Sequence, residues 1–320
     1  MPAGARSGRP VKPDARVGNK LVAFSVPTPE SLGVNAVAEE HWDCMTCIKV
    51  ERAANVVKVR LNRPEKMNAI NSTMEKEFYA VLADCERLEN VKCVLLSAEG
   101  TNFSSGHDIQ QVANEVIGGQ EVATIQDKYW VHTGDLLPPW RFSKGLVVAV
   151  KGYVGPHANT FVLAADIVIA AENVRFSWEE SRVGVGAPYG PYCLMPFHFP
   201  MRVVKHLWIT GGWMDAQTAR SLFYVNRVTP LGEEEEVAMR FARQIARMSS
   251  GDFMANKRGT HRMYEAMGLS SAVDTGRDPY VPSGEAAEAK AHHLRIIYEK
   301  GVRAAVRERD TGWDDRVSQI

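Results

Sequence analysis

The chain has 320 residues, 45% of them hydrophobic and 24% charged, enough to bury a sizeable core as one large domain or two modest ones. Its 38 basic and 38 acidic residues cancel, so it lacks the charge excess that recruits nucleic acid or an anionic membrane surface, and a small-molecule substrate is expected instead. Cys44, Cys47, Cys85, Cys93 and Cys193 are an odd, scattered set, and no hydrophobic N-terminal stretch resembles a secretory signal or a membrane span, so a reducing cytoplasm is the expected compartment.

Residues 1–42 mix Pro and Gly with scattered Lys and Arg and lack apolar periodicity, the composition of a poorly ordered extension. Cys44 and Cys47 form a lone C-x-x-C with no second pair and no strand-to-helix context, so two ordinary thiols are expected there and no metal. From Cys47 to Leu61, Ile48, Val50, Val57, Val59 and Leu61 alternate with polar residues around Ala53-Ala54-Asn55, which predicts a hairpin. Asn62-Arg63-Pro64 is a turn. Ser72-Thr73-Met74-Glu75 has capping-box spacing, and Met74, Phe78, Leu82, Cys85 and Leu88 follow at helical intervals. Val91–Ser97, Val147–Val150 and Ile167–Ala171 are short apolar runs rich in β-branched residues, predicting buried strands. Strands separated by helical stretches predict an α/β fold with a mostly parallel sheet covered by helices. Beyond residue 200 the spacing is helical, and the acidic run Glu233–Glu236 is expected to be a solvated helix start.

Two segments have the pattern of a site. Asn102-Phe103-Ser104-Ser105-Gly106-His107-Asp108 follows one predicted strand, and Lys151-Gly152-Tyr153-Val154-Gly155-Pro156-His157-Ala158 follows another. Small residues between a strand and a helix let backbone N–H groups point into a cavity, and two such turns side by side would make an oxyanion hole.

With Asn62-Arg63-Pro64-Glu65-Lys66-Met67-Asn68-Ala69 before them, and Asp166-Ile167, Arg175-Phe176 to Gly184, Thr210-Gly211 and Val225-Asn226-Arg227-Val228 after them, the chain resembles the crotonase (enoyl-CoA hydratase/isomerase) superfamily over roughly residues 45–270. The resemblance implies a crotonase-like spiral of ββα units over residues 43–205. A helical C-terminal region over 206–320 would mediate trimerisation, giving a homotrimer or a dimer of trimers. It also implies an acyl-CoA thioester substrate, with coenzyme A as part of the substrate and no separate cofactor. The thioester carbonyl would be held by the backbone N–H groups of His107 and His157.

Two positions depart from the family pattern. Its hydratases use two glutamates; the first place falls on Thr160, which has no useful acid or base character near neutral pH, and the second falls on Glu180. The other departure is His157, where the family usually has glycine. Oxocamphor hydrolase-type members have a histidine there paired with an aspartate, which makes Asp166 the expected partner of His157.

Further candidates are His132 as a catalytic group and Trp130, Trp140 and Tyr189 as walls of a pocket for a bulky or cyclic carbonyl substrate, with Trp178 beside them. Lys66, Ala69, Ser105, Gly106 and Thr160 are expected to line the substrate site, and Lys66, Lys257 and Arg258 are candidates for the nucleotide phosphates. Three readings follow: an isomerase or hydratase-like enzyme with Glu180 as acid/base, a retro-Claisen C–C hydrolase acting on β-diketones through His157 and Asp166, and a catalytically inactive assembly subunit.

Overall fold

The computed structural model describes residues 39–117, 137–185, 193–272 and 285–320. Strands β1 (Ile48–Ala53) and β2 (Val56–Leu61) form the expected hairpin, antiparallel from Ile48↔Leu61 to Ala53↔Val56. Helix α1 (Ser72–Arg87) leads to β3 (Cys93–Ala98), which lies parallel to β2. Then come α2 (Ile109–Ile117), α3 (Leu137–Arg141), β4 (Gly145–Val150), β5 (Tyr153–Val154), α4 (Asn159–Ala164), β6 (Ile167–Ala171) and β7 (Arg175–Ser177). A short 3-10 turn, Glu179–Val183, follows β7. The chain continues through α5 (Met195–His198), α6 (Met201–Thr210), β8 (Trp213–Asp215), α7 (Ala216–Ser221) and β9 (Arg227–Thr229). Helices α8 (Glu234–Ala246), α9 (Ser250–Ala266), α10 (Glu285–Lys300), α11 (Val302–Asp310) and α12 (Asp315–Ser318) complete it.

The main sheet has the order β1-β2-β3-β4-β6-β9, parallel from β2 onward, and a smaller sheet has the order β5-β7-β8. Repeated β-rich turns joined by helices make the α/β spiral that the sequence implied. Every residue of β3 and β4 is buried, which explains why these strands are continuous apolar runs in the sequence instead of alternating ones. Leu146, Val148 and Val150 of β4 join the larger core on one face, while Val147 and Ala149 join a second cluster on the other. Helix α8 covers that second face with Val237, Ala238, Met239 and Ala242; burying Val237 and Met239 stabilises the layer by about 1.5–3 kcal/mol each.

Residues beyond 205 are predominantly helical and also carry two short strands. They supply β8 to the small sheet, β9 to the main sheet and α8 to its face. The acidic run at the start of α8 is also only partly solvated. Glu234 is buried and accepts the Gly232 N–H, Glu235 binds Arg60 and Ser97, and Glu236 alone of these three stays exposed. Burial opposes ionisation of Glu235, but the Arg60 hydrogen bonds and charge prevail and pull its pKa down to about 2.

The last helices fold back over the same chain. Helix α10 packs on α2 and on the turn Glu179–Val183, and α11 packs on α10. Among the described residues no helix is long and apolar enough to cross a membrane.

Candidate active site

The two segments singled out in the sequence lie against each other. Phe103 N–H donates to the Lys151 carbonyl at 2.8 Å, Ser104 N–H to that of Tyr153 at 3.2 Å, and Gly155 N–H to that of Ser104 at 2.8 Å. A Cβ at Gly155 would overlap the carbonyl of Ser105, so only glycine lets the two backbones approach this closely. Gly106, at φ 90°, faces the other segment as well; a Cβ there would sit 3.1 Å from the His157 amide nitrogen. His107 and His157 are thereby side by side, their rings stacked with centroids 3.5 Å apart and planes at 15°. Helix α2 starts just after His107 and α4 just after His157, so both residues stand at helix N-termini, where the dipole favours negative charge.

The turn containing Asn68 braces the first loop. Ser104 Oγ donates to the Asn68 carbonyl at 2.7 Å and accepts Gly106 N–H at 3.1 Å. Ile70 N–H donates to the Gly106 carbonyl and Asp108 N–H to that of Ile70. Arg63 ties both together: its Nη2 lies 2.9 Å from Asp108 Oδ2, and its Nη1 donates to the Ala69 carbonyl. Asp108 in turn accepts the Gln111 N–H and so caps α2.

The histidine at 157 has a partner, but not the expected one. His157 Nε2 lies 3.0 Å from Glu75 Oε1, and both side chains are buried. Asp166 instead accepts the Leu146 N–H at 2.8 Å and binds Lys257 Nζ at 2.7 Å, so the His157–Asp166 pairing does not form. Burial drives the His157 pKa down to about 3, which keeps the ring neutral beside Glu75.

Glu75 is the site residue that the sequence reading missed, because the capping-box pattern claimed it for α1. The cap is Asn71, whose side chain accepts the Met74 N–H, while Ser72 bonds Gln111. The available signal was helical phase. Glu75 shares a face with Phe78 and Leu82, and a carboxylate on an apolar face needs a buried partner.

The other candidates divide. Glu180 sits half-buried in the turn Glu179–Val183, against which α10 packs. Its neighbour Glu179 is fully engaged elsewhere, accepting the Tyr153 hydroxyl at 2.5 Å and pairing with Arg175 at 3.6 Å. Thr160 is buried in α4, its N–H donating to the His157 carbonyl at 3.1 Å. Ser105 lies in the loop junction, with its N–H on the Met67 carbonyl. Ala69 is buried beside Arg63, and Lys66 is exposed at the end of a short 3-10 turn.

Lys257 is buried against Asp166 and is not available to a phosphate, whereas Arg258 is exposed. Trp140 is buried and stacks on His261, with centroids 4.1 Å apart, and Trp178 packs in the core near Tyr224. Trp130, His132 and Tyr189 lie outside the described residues.

Residues 51–316 match the enoyl-CoA hydratase/isomerase family, and the chain belongs to it. It is 27% identical over 240 residues to a putative enoyl-CoA hydratase, EchA13, of Mycobacterium tuberculosis, covering 68% of this chain and 74% of that one. It is 24% identical to the 1,2-epoxyphenylacetyl-CoA isomerase of Escherichia coli, covering 79% and 93%. The crystal structure of an enoyl-CoA hydratase/isomerase from Xanthobacter autotrophicus superposes with a TM-score of 0.75 at 26% identity, over 84% of this chain and 99% of that one.

Proposed function

We propose that this protein binds an acyl-CoA thioester, polarises its carbonyl with the N–H groups of His107 and His157, and moves a substrate proton through Glu180. The observation that supports this most directly is the contact of the two loops at Gly106 and His157, which brings the segments carrying the two proposed donors together. With Thr160 in place of a second carboxylate, the simplest reaction is a double-bond shift. Glu180 removes the α-proton of a 3-enoyl thioester, the N–H groups hold the dienolate oxygen, and the same carboxyl returns the proton at the γ-carbon.

The retro-Claisen reading required Asp166 beside His157 and loses that support. The inactive-subunit reading predicts binding without turnover.

The test is calorimetric titration with butyryl-CoA, followed by turnover of 2-enoyl- and 3-enoyl-CoA panels by the wild type and Glu180→Gln. Binding together with a loss of about a hundredfold or more in kcat for the variant is expected. Unchanged turnover in the variant removes Glu180 from the mechanism, and absence of binding removes coenzyme A. We propose a homotrimer or a dimer of trimers as the assembly, which sedimentation checks.

A further inference from the structure

The geometry points to Asn159 as the positioning residue that holds the His157 loop in register with the strand leading to Glu180, an inference that rests on the acyl-CoA reading above.

A backbone donor is missing where β5 ends. Strands β5 and β7 pair in parallel, Tyr153 opposite Arg175 and Val154 opposite Phe176, with the Arg175 N–H on the Gly152 carbonyl at 2.8 Å. A parallel ladder advances two residues at a time, so the next N–H due on the Ser177 carbonyl is that of residue 156. Residue 156 is proline and has none. The side chain of Asn159 takes its place: Nδ2 donates to the Ser177 carbonyl at 3.0 Å and to the Gly155 carbonyl at 3.2 Å.

Both acceptors are carbonyls, so the amide must turn its NH2 end to them, and Oδ1 is left to accept the Tyr224 hydroxyl at 3.1 Å. Asn159 and Ser177 are fully buried, so water cannot stand in for these bonds. Aspartate would set lone pairs against two carbonyls, and leucine would supply no donor at all.

The two ends of this link lie on the two halves of the proposed site. Asn159 is two residues after His157, and Ser177 is three residues before Glu180. Its other acceptor, Gly155, is the residue whose close approach to the Ser105 carbonyl seats the second loop on the first. The same two stretches are joined again by the Tyr153 hydroxyl, which donates to Glu179 Oε2 at 2.5 Å. One amide therefore sets where the carbonyl-holding loop stands relative to the turn that contains the acid/base, and a misplacement of about 1 Å between such groups can cost about a hundredfold in rate.

The experiment binds butyryl-CoA labelled with 13C at the thioester carbonyl to the full chain and reads the carbonyl stretch by isotope-edited infrared spectroscopy. Titration calorimetry and kcat, on the enoyl-CoA that the wild type turns over, accompany it. In the wild type the band is expected below its position in free butyryl-CoA, because hydrogen bonds to the oxygen weaken the double bond. Asn159→Asp is expected to move the band back toward the free position and to lower kcat by about thirtyfold to a hundredfold, with Kd for butyryl-CoA changed by less than about threefold. Tyr224→Phe keeps the ring that packs on Phe176 and Phe199 and releases only Oδ1, so a fall of about tenfold in kcat is expected, again with Kd retained.

A bond that served stability alone would lower the folded fraction and leave the band and kcat per folded molecule unchanged, and that result overturns the inference. If Asn159→Asp does not fold, Tyr224→Phe decides by itself, and a wild-type band with wild-type kcat overturns it. No binding of butyryl-CoA by the wild type, or an unshifted band, is the separate outcome that removes the acyl-CoA reading and this inference with it.

Discussion

Lys257 Nζ lies 2.7 Å from Asp166 Oδ2 and 2.9 Å from the Lys144 carbonyl, so one buried ammonium fastens α9 to the ends of β4 and β6. Asp166 closes the clamp by accepting the Leu146 N–H. The role is structural, and the expected consequence of Lys257→Met is loss of about 2–4 kcal/mol of stability, near the lower end of what removing one partner of a buried pair costs because Asp166 retains 21% side-chain exposure. Urea unfolding measures it. Asp166→Asn should behave alike, with turnover per folded molecule close to wild type; loss of turnover at unchanged stability would return Asp166 to the chemistry.

Gly155→Ala probes the loop junction. The new methyl overlaps the Ser105 carbonyl, so the two loops must separate and the two donors with them. Losing one donor of such a pair typically costs about a hundredfold or more, and kcat should fall by that order while circular dichroism stays native. Near-normal kcat would mean the carbonyl is held elsewhere.

The sheet was legible in the sequence because β3, β4 and β6 are apolar runs buried on both faces, and burial of that kind leaves little ambiguity. The short strands β5, β7, β8 and β9 were not. Two or three residues cannot display a period, and Trp213–Asp215 lies between two helical patterns that conceal it. The resemblance in motif order, not local chemistry, pointed to His107, His157 and Glu180 as candidates. Glu75 escaped because its partner is distant in sequence and its own neighbourhood offered a cheaper explanation as a cap. Asp166 was misplaced because the resemblance to oxocamphor hydrolase-type members paired it with His157, whereas its contact is with Lys257, 91 residues away.

Arg182 carries the next expectation. Its side chain is 1% exposed, yet it pairs at 3.2 Å with Asp310 and 3.3 Å with Asp315, and its guanidinium lies 5.1 Å from the centroid of the Trp313 ring. The turn that contains Glu180 is thus held by the last residues of the same chain. Arg182→Met should cost about 1–3 kcal/mol, less than a wholly buried pair because the two carboxylates are 40% and 55% exposed. Amide exchange should quicken over residues 310–320, and kcat should fall through loosening of Glu180. Unchanged exchange there would show that the tail is anchored by other contacts, such as Ile320 N–H on the Trp213 carbonyl.

Acid should weaken the fold well before ordinary carboxylates titrate. Burial lowers the pKa of His157 to about 3 and that of His261 to about 4, and burial also lowers those of His198 and His293. In the unfolded chain each imidazole protonates near about pH 6.5. Below that pH the unfolded state binds protons that the folded state refuses, so stability falls as pH falls, and it continues to fall until the folded-state pKa values are reached. For His157 the slope approaches about 1.4 kcal/mol per pH unit over most of that window. Glu235, held at about 2, adds a further loss only below its ordinary value of 4.5, so the two causes separate on the pH axis. Urea midpoints should therefore decline from about pH 6.5 downward, and His157→Gln should show a shallower decline despite a lower starting stability. Midpoints that stay level from about pH 7 to about pH 5 would mean that these rings protonate in the folded protein as they do in water, contrary to the burial that lowers their pKa values.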